Sequence, residues 1–162
     1  EITTRLVGSE MCIRDSNNPF DLKAREKMAE ASIVAGVAFS HPRTTGSHAC
    51  SFPLTNIYGL PHGEACAFTL DYFLKFNAEH ADGDGRITAL AKDCGFNDAF
   101  EMADEITAMK KRMGMRCKLS EIGCETDEQI DELTKKSMSM LMTRNPITLT
   151  QKDIKEMYIK LK

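Results

Sequence analysis

Apolar positions recur three or four residues apart over most of the chain, a period that predicts a succession of amphipathic helices and places the chain in the all-α class as a multi-helix bundle. Asn18 reads as a cap and Pro19 as a first-turn residue for a helix over 21–40. Its face carries Met28, Ala31, Val34, Ala35 and Ala38, and its second half, ASIVAGVAF, is apolar nearly all round, which predicts a helix through the middle of the bundle. His41-Pro42 ends it, because the residue before proline disfavours the helical region. Residues 43–58 predict a loop and a short helix, and Pro61-His62-Gly63 the start of another that packs through Ala65, Phe68, Thr69, Tyr72, Phe73 and Phe76.

A polar stretch after Asn77 precedes a helix expected from about Arg86 to Cys94, which Gly95 breaks. Asn97 is the expected cap of an amphipathic helix from Ala99 to Met113, with Lys110, Lys111 and Arg112 at its favourable C-terminal end. Thr126 with Gln129 forms a capping box for a helix whose face runs Ile130, Leu133, Thr134, Ser137, Met138 and Leu141 and which Asn145-Pro146 stops. Thr150 with Asp153 caps a last helix through Ile154, Met157, Tyr158 and Leu161. No repeat, linker or low-complexity segment divides residues 17–162, which are expected to form one helical domain. Residues 1–16 lack a clean period, and VGSEMCIRD resembles a translated sequencing-adapter read-through, so a non-native or disordered leader is expected there.

A chain of 162 residues with 42% hydrophobic residues can bury one core. A formal net charge of -3, without interleaved basic and aromatic residues, argues against nucleic acid or an anionic membrane as a partner. Ten methionines and no tryptophan suit a core filled by flexible side chains. The six cysteines include no CxxC pair, and no secretory or bilayer-spanning run accompanies them; free thiols in a cytoplasmic protein are expected, with Cys50 and Cys66 as small hydrophobes. Asp82, Asp84 and Gly85 do not make a calcium loop, since His80 and Ala91 fall where acidic ligands belong.

The chemistry concentrates between Gly46 and Phe76, in GSHACSFPLTNIYGLPHGEACAFTLDYFLKF. His48 and His62 both sit in small or apolar surroundings, where a neutral imidazole needs partners for its ring nitrogens. Pro53, Gly59 and Pro61 disfavour one unbroken helix, and two helices joined by a turn at 58–61 could bring the rings to one point. By spacing alone, a non-enzymatic helical structural or interaction domain with packed histidines is a full alternative to a metal site, because catalytic metals take three or more protein ligands.

The succession His48-Ala49, Pro53-Leu54, Tyr58 and Pro61-His62-Gly63 resembles the signature region of the iron-containing, metal-dependent (group III) alcohol dehydrogenases. The resemblance covers roughly residues 17–162 and implies that family's dehydroquinate synthase-like, all-helical C-terminal domain. It implies that His48 and His62 are two ligands of Fe2+, or of Zn2+ as in some relatives, with two further ligands, an Asp and a His, lying before this region. The metal would polarise a carbonyl for hydride transfer from NAD(P)H, which a missing N-terminal nucleotide-binding domain mainly binds. Phe52 stands where many members have another histidine and would wall the substrate pocket; Ser51-Phe52-Pro53-Leu54-Thr55 resembles a branch that acts on phosphonate- or carboxylate-bearing small aldehydes. The implied partners are a small aldehyde or alcohol, the missing domain and a homo-oligomer, and the chain alone is expected to be inactive.

Overall fold

Helices make up all the regular structure in the computed structural model, which describes residues 11–162; no strand occurs among them. The leader expected over 1–16 lies outside the described residues up to residue 10. From residue 11 the chain is helical to residue 17 (α1), and Cys12 Sγ lies 3.3 Å from Met28 Sδ. Asp21, and not Asn18, caps the next helix, α2 (Leu22–Phe39), accepting a hydrogen bond from the Ala24 amide at 3.1 Å. The Asn18 side chain instead accepts from the Phe20 amide at 3.2 Å, so Pro19 lies in the turn before the helix.

The expected passage of α2 through the middle of the bundle is corrected by the structure. Only Ala24 of this helix is buried, while Val34 is 64% and Val37 71% exposed. A Cβ placed on Gly36 would meet no atom within 4 Å, so nothing exploits the close approach that its glycine permits. Apolar periodicity reports which face seeks cover, and not whether the described residues provide it.

The packed body begins with α3 (Gly46–Tyr58), which carries Pro53 inside it, and the chain breaks after it at the expected turn over 58–61. Burial of Ala49, Cys50, Leu54 and Pro53 itself holds the segment helical despite the amide that proline lacks. The real break is Gly59, at φ +69, a left-handed conformation suited to glycine, whose amide donates to the Thr55 carbonyl at 3.0 Å. α4 (His62–Phe68) and α5 (Leu70–Ala81) follow, then α6 (Arg86–Asp93) and α7 (Ala99–Arg112). The cap of α7 is Asp98, accepting from Glu101 N at 2.8 Å; Asn97 instead donates to the Glu101 carboxylate.

A 3-10 turn (Leu119–Ile122) leads to α8 (Asp127–Ser137), which has the predicted Thr126–Gln129 capping box. α8 ends at Ser137, earlier than the apolar face suggested, because Met138 turns extended and a 3-10 turn (Met140–Arg144) begins with Ser139 as cap. The Thr150–Asp153 box opens α9 (Gln151–Lys160) as predicted. α3 packs on α4, on α8 and on the second 3-10 turn, α5 lies along α7, and α8 along α9. The core between them holds Leu54, Phe68, Leu133, Ile154, Met157 and Tyr158, each large apolar side chain contributing about 1.5–3 kcal/mol by its burial.

Two polar groups are satisfied inside this body. The Tyr158 hydroxyl lies 2.7 Å from Ser137 Oγ, which also donates to the Leu133 carbonyl. Lys110, only 2% exposed, donates to Asp71 at 2.7 Å and to the carbonyls of Ala67 and Phe68 at 3.2 Å each, so its charge is paired and its protons are used.

Candidate metal centre

The turn at Gly59 places the first residue of α4, His62, beside the first turn of α3, which carries His48. One hydrogen bond ties α3 to α4, and a close approach packs α5 on the start of α3. Ser47 Oγ donates to the Cys66 carbonyl at 2.6 Å, and Gly46 lets the Phe73 ring lie against the start of α3. The two imidazoles consequently meet edge to face, centroids 4.8 Å apart and planes at 89°. Phe52, one turn beyond His48 and 44% exposed, has its ring 5.0 Å from His48 and 6.1 Å from His62. The three residues singled out in the sequence therefore form one cluster. His41 and His80 stay outside it: His41 is exposed, and His80 Nδ1 is 2.8 Å from the Phe76 carbonyl.

Neighbouring groups prepare the rings for a cation. Ser51 Oγ donates its one proton to the His48 carbonyl at 2.7 Å, so in its 3.4 Å contact with His62 Nδ1 it acts as the acceptor. That arrangement puts the His62 proton on Nδ1 and leaves the Nε2 lone pair free. Burial, and secondarily the adjacent His62, lower the His48 pKa below its ordinary value, which favours the neutral, ligating form of the ring at neutral pH.

Cys66 was read from sequence as a small core hydrophobe, and the structure corrects that. Its sulfur lies 3.4 Å from His48 Nδ1 and 3.7 Å from His62 Nε2, and the three donor atoms fall within 4.8 Å of one another. The available signal was its position four residues after His62, one turn along the same helix face. Glu64, the nearest carboxylate in sequence, is occupied elsewhere: it accepts from Arg116 N, Nε and Nη2 at 2.9, 2.8 and 2.6 Å. Asp82 is likewise used structurally, accepting from the amides of Ile87 and Thr88 at the start of α6.

The donor set fits a divalent transition metal of imidazole preference, with coordination positions left for groups beyond these residues. The centre is an open face and not a closed cavity. A cleft of about 580 Å³ lies elsewhere, lined by Asp71, Lys110, Lys118, Glu121 and Lys160 among others, and neither histidine lines it.

Comparison with known proteins matches residues 6–161 to the Fe-containing alcohol dehydrogenase family, C-terminal. Sulfoacetaldehyde reductase from Bifidobacterium kashiwanohense, solved in complex with NAD+, is 46% identical and superposes with a TM-score of 0.85 over 92% of this chain and 39% of that one. An alcohol dehydrogenase of Thermococcus barophilus is 33% identical over 141 residues, covering 85% of this chain and 36% of the relative. Lactaldehyde reductase of Escherichia coli strain K12 is 29% identical over 145 residues, 85% of this chain and 38% of the relative. The chain thus spans less than two fifths of the length of these proteins.

Proposed function

The chain belongs to the iron-containing alcohol dehydrogenase family, through that family's C-terminal domain, and on this premise we propose that it is the metal-binding part of an NAD(P)-dependent alcohol dehydrogenase or aldehyde reductase. The observation that carries the reading is the meeting of His48 and His62, from two different helices, at 4.8 Å between ring centroids. The two rings would hold Fe2+ or Zn2+ together with ligands outside this chain. When bound, such an ion supplies the Lewis acidity that polarises a substrate carbonyl.

The chain's own residues set the conditions for that chemistry. Ser51 fixes the His62 tautomer, which orients one lone pair and removes the entropy of choosing between two. Phe52 forms an apolar wall beside both rings; it shields the reacting group from water and cannot relay a proton, so proton transfer falls to another group or to solvent. NAD(P) binding belongs mainly to a nucleotide-binding domain outside these residues, and the chain alone is expected neither to bind NAD(P)H nor to turn over alcohol. We place the protein in the cytoplasm, a compartment that suits its free thiols. No described helix is long and apolar enough to cross a membrane.

For substrate class we propose a small aldehyde bearing an anionic group. The 46% identity to a sulfoacetaldehyde reductase supports this choice. The test uses the full-length product of the parent gene beside its His62→Ala variant, measuring bound metal and reduction of anionic and neutral short aldehydes. About one iron or zinc per subunit, with metal and activity both lost in the variant, is the expected result. A folded full-length protein without stoichiometric metal or hydride transfer would overturn the reading.

A further inference from the structure

We propose that Arg116 and Glu64 form a positioning pair for His62: the guanidinium holds the first turn of α4 so that its imidazole stands against that of His48. The inference rests on the metal-dependent reading above and adds two residues that act on the centre through His62 and not as ligands.

α4 is only seven residues long, too short to keep its place without support from its surroundings. Two cations from one stretch of chain grip it at opposite ends. Lys110, in the last turn of α7, donates to the carbonyls of Ala67 and Phe68 at the C-terminal end of α4. Arg116, six residues further on, closes on the other end. Its amide, Nε and Nη2 donate to the carboxylate of Glu64, which lies in the first turn of α4, two residues after His62. Nε and Nη2 meet different oxygens of that carboxylate, a fork that sets direction as well as distance.

The segment that carries Arg116 is itself fixed. The Met115 amide donates to the Lys110 carbonyl at 3.0 Å and the Leu119 amide to the Leu161 carbonyl at 2.8 Å. Between them the amides of Cys117 and Lys118 donate to the Glu121 carboxylate at 2.6 and 2.8 Å. By contrast, the direct polar tie of the His62 ring to α3 is the single 3.4 Å contact with Ser51. The Ser47 bond to α3 acts one turn later, at Cys66. The Glu64 side chain is 15% exposed, so the fork is shielded from the water that weakens surface ion pairs. Loss of the fork frees the turn that aims the His62 ring, while the turn gripped by Lys110 stays in place.

The test measures Zn2+ affinity, by competition with a chromophoric chelator, in the full-length product of the parent gene and in variants of it. Urea midpoints of the metal-stripped proteins are measured beside it. Arg116→Ala should bind Zn2+ at least ~10-fold more weakly than wild type. Arg116→Lys, which keeps the charge without the fork, should recover only part of this. Glu64→Gln should weaken binding in the same direction, and adding it to Arg116→Ala should cost little more, because both act through one contact. Thr126→Ala removes the cap of α8, away from the centre, and should lower the urea midpoint with no change in affinity. Wild-type affinity in Arg116→Ala and Glu64→Gln, with His62→Ala still losing metal, would overturn the positioning role and leave the metal reading intact. An equal loss of affinity in Thr126→Ala would also overturn it, since affinity would then follow stability alone. A wild type that binds no metal would defeat both. Should Arg116→Ala fail to fold, Arg116→Lys and Glu64→Gln decide by the same comparison.

Discussion

The rings of His48 and His62 lie edge to face across the junction of α3 and α4, brought there by the left-handed Gly59. Their approach depends on helix packing and not on either ring, so substitution of a ring should remove the ligand without moving its neighbour. In the full-length protein, His48→Ala is expected to lower bound metal more than ~10-fold with unchanged circular dichroism. Elemental analysis after desalting measures this, and retained stoichiometric metal would exclude His48 as a ligand.

Gly46 and Phe73 make a second dependence. A Cβ at residue 46 would lie 2.2 Å from Phe73 Cε1, an overlap with a ring that is itself buried. Gly46→Ala should therefore destabilise the chain by about 1–3 kcal/mol, the range for overpacking a core. Urea denaturation provides the value, and adding Phe73→Leu should recover part of it by freeing space. Because α3 carries His48 two residues from this contact, metal bound by the full-length protein should fall with stability in the single variant and rise again in the double one.

Lys110 and Asp71 form a buried pair whose members are costly to separate. Lys110→Met leaves the Asp71 carboxylate without its cation inside the fold, and a loss of about 3–5 kcal/mol is expected. Asp71→Asn strands the ammonium with two backbone carbonyls, with a loss of similar order. The double variant should be more stable than the two losses added together, and a double-mutant cycle measures the coupling. Simple additivity would mean that the pair does not act as a unit.

Asp153 gives the fold a pH dependence of defined sign. Hydrogen bonds from the Thr150 hydroxyl and then its amide lower the Asp153 pKa below its ordinary value. An acid with a lowered folded pKa contributes stability above its unfolded value of about 3.9, and loses it as pH falls through the folded value. Asp153→Asn should therefore reduce stability at pH 7 and differ little from wild type at about pH 2. Urea midpoints across this interval test the claim; a constant difference between the two proteins would refute it.

Much of the fold was legible because its signals are local. The capping boxes at Thr126 and Thr150 and the stop at Gly59 depend on residues within one turn, and the structure has each where the sequence places it. The failures lie where tertiary context decides. α2 is open because apolar periodicity carries no information about a covering surface. At the candidate centre the histidines were visible as unusual residues in an apolar stretch. Cys66 was not, since a cysteine among alanines is read as packing until a second helix brings a ring to its sulfur.

The uncovered face of α2 has a consequence for the fate of the chain in a cell. Ile33, Val34 and Val37 form a stretch of apolar side chains in water, the kind of surface by which chaperones and proteases distinguish unfinished proteins from finished ones. Among the described residues nothing covers it, so charging it, as in Val34→Lys with Val37→Lys, should leave the melting temperature of the chain nearly unchanged.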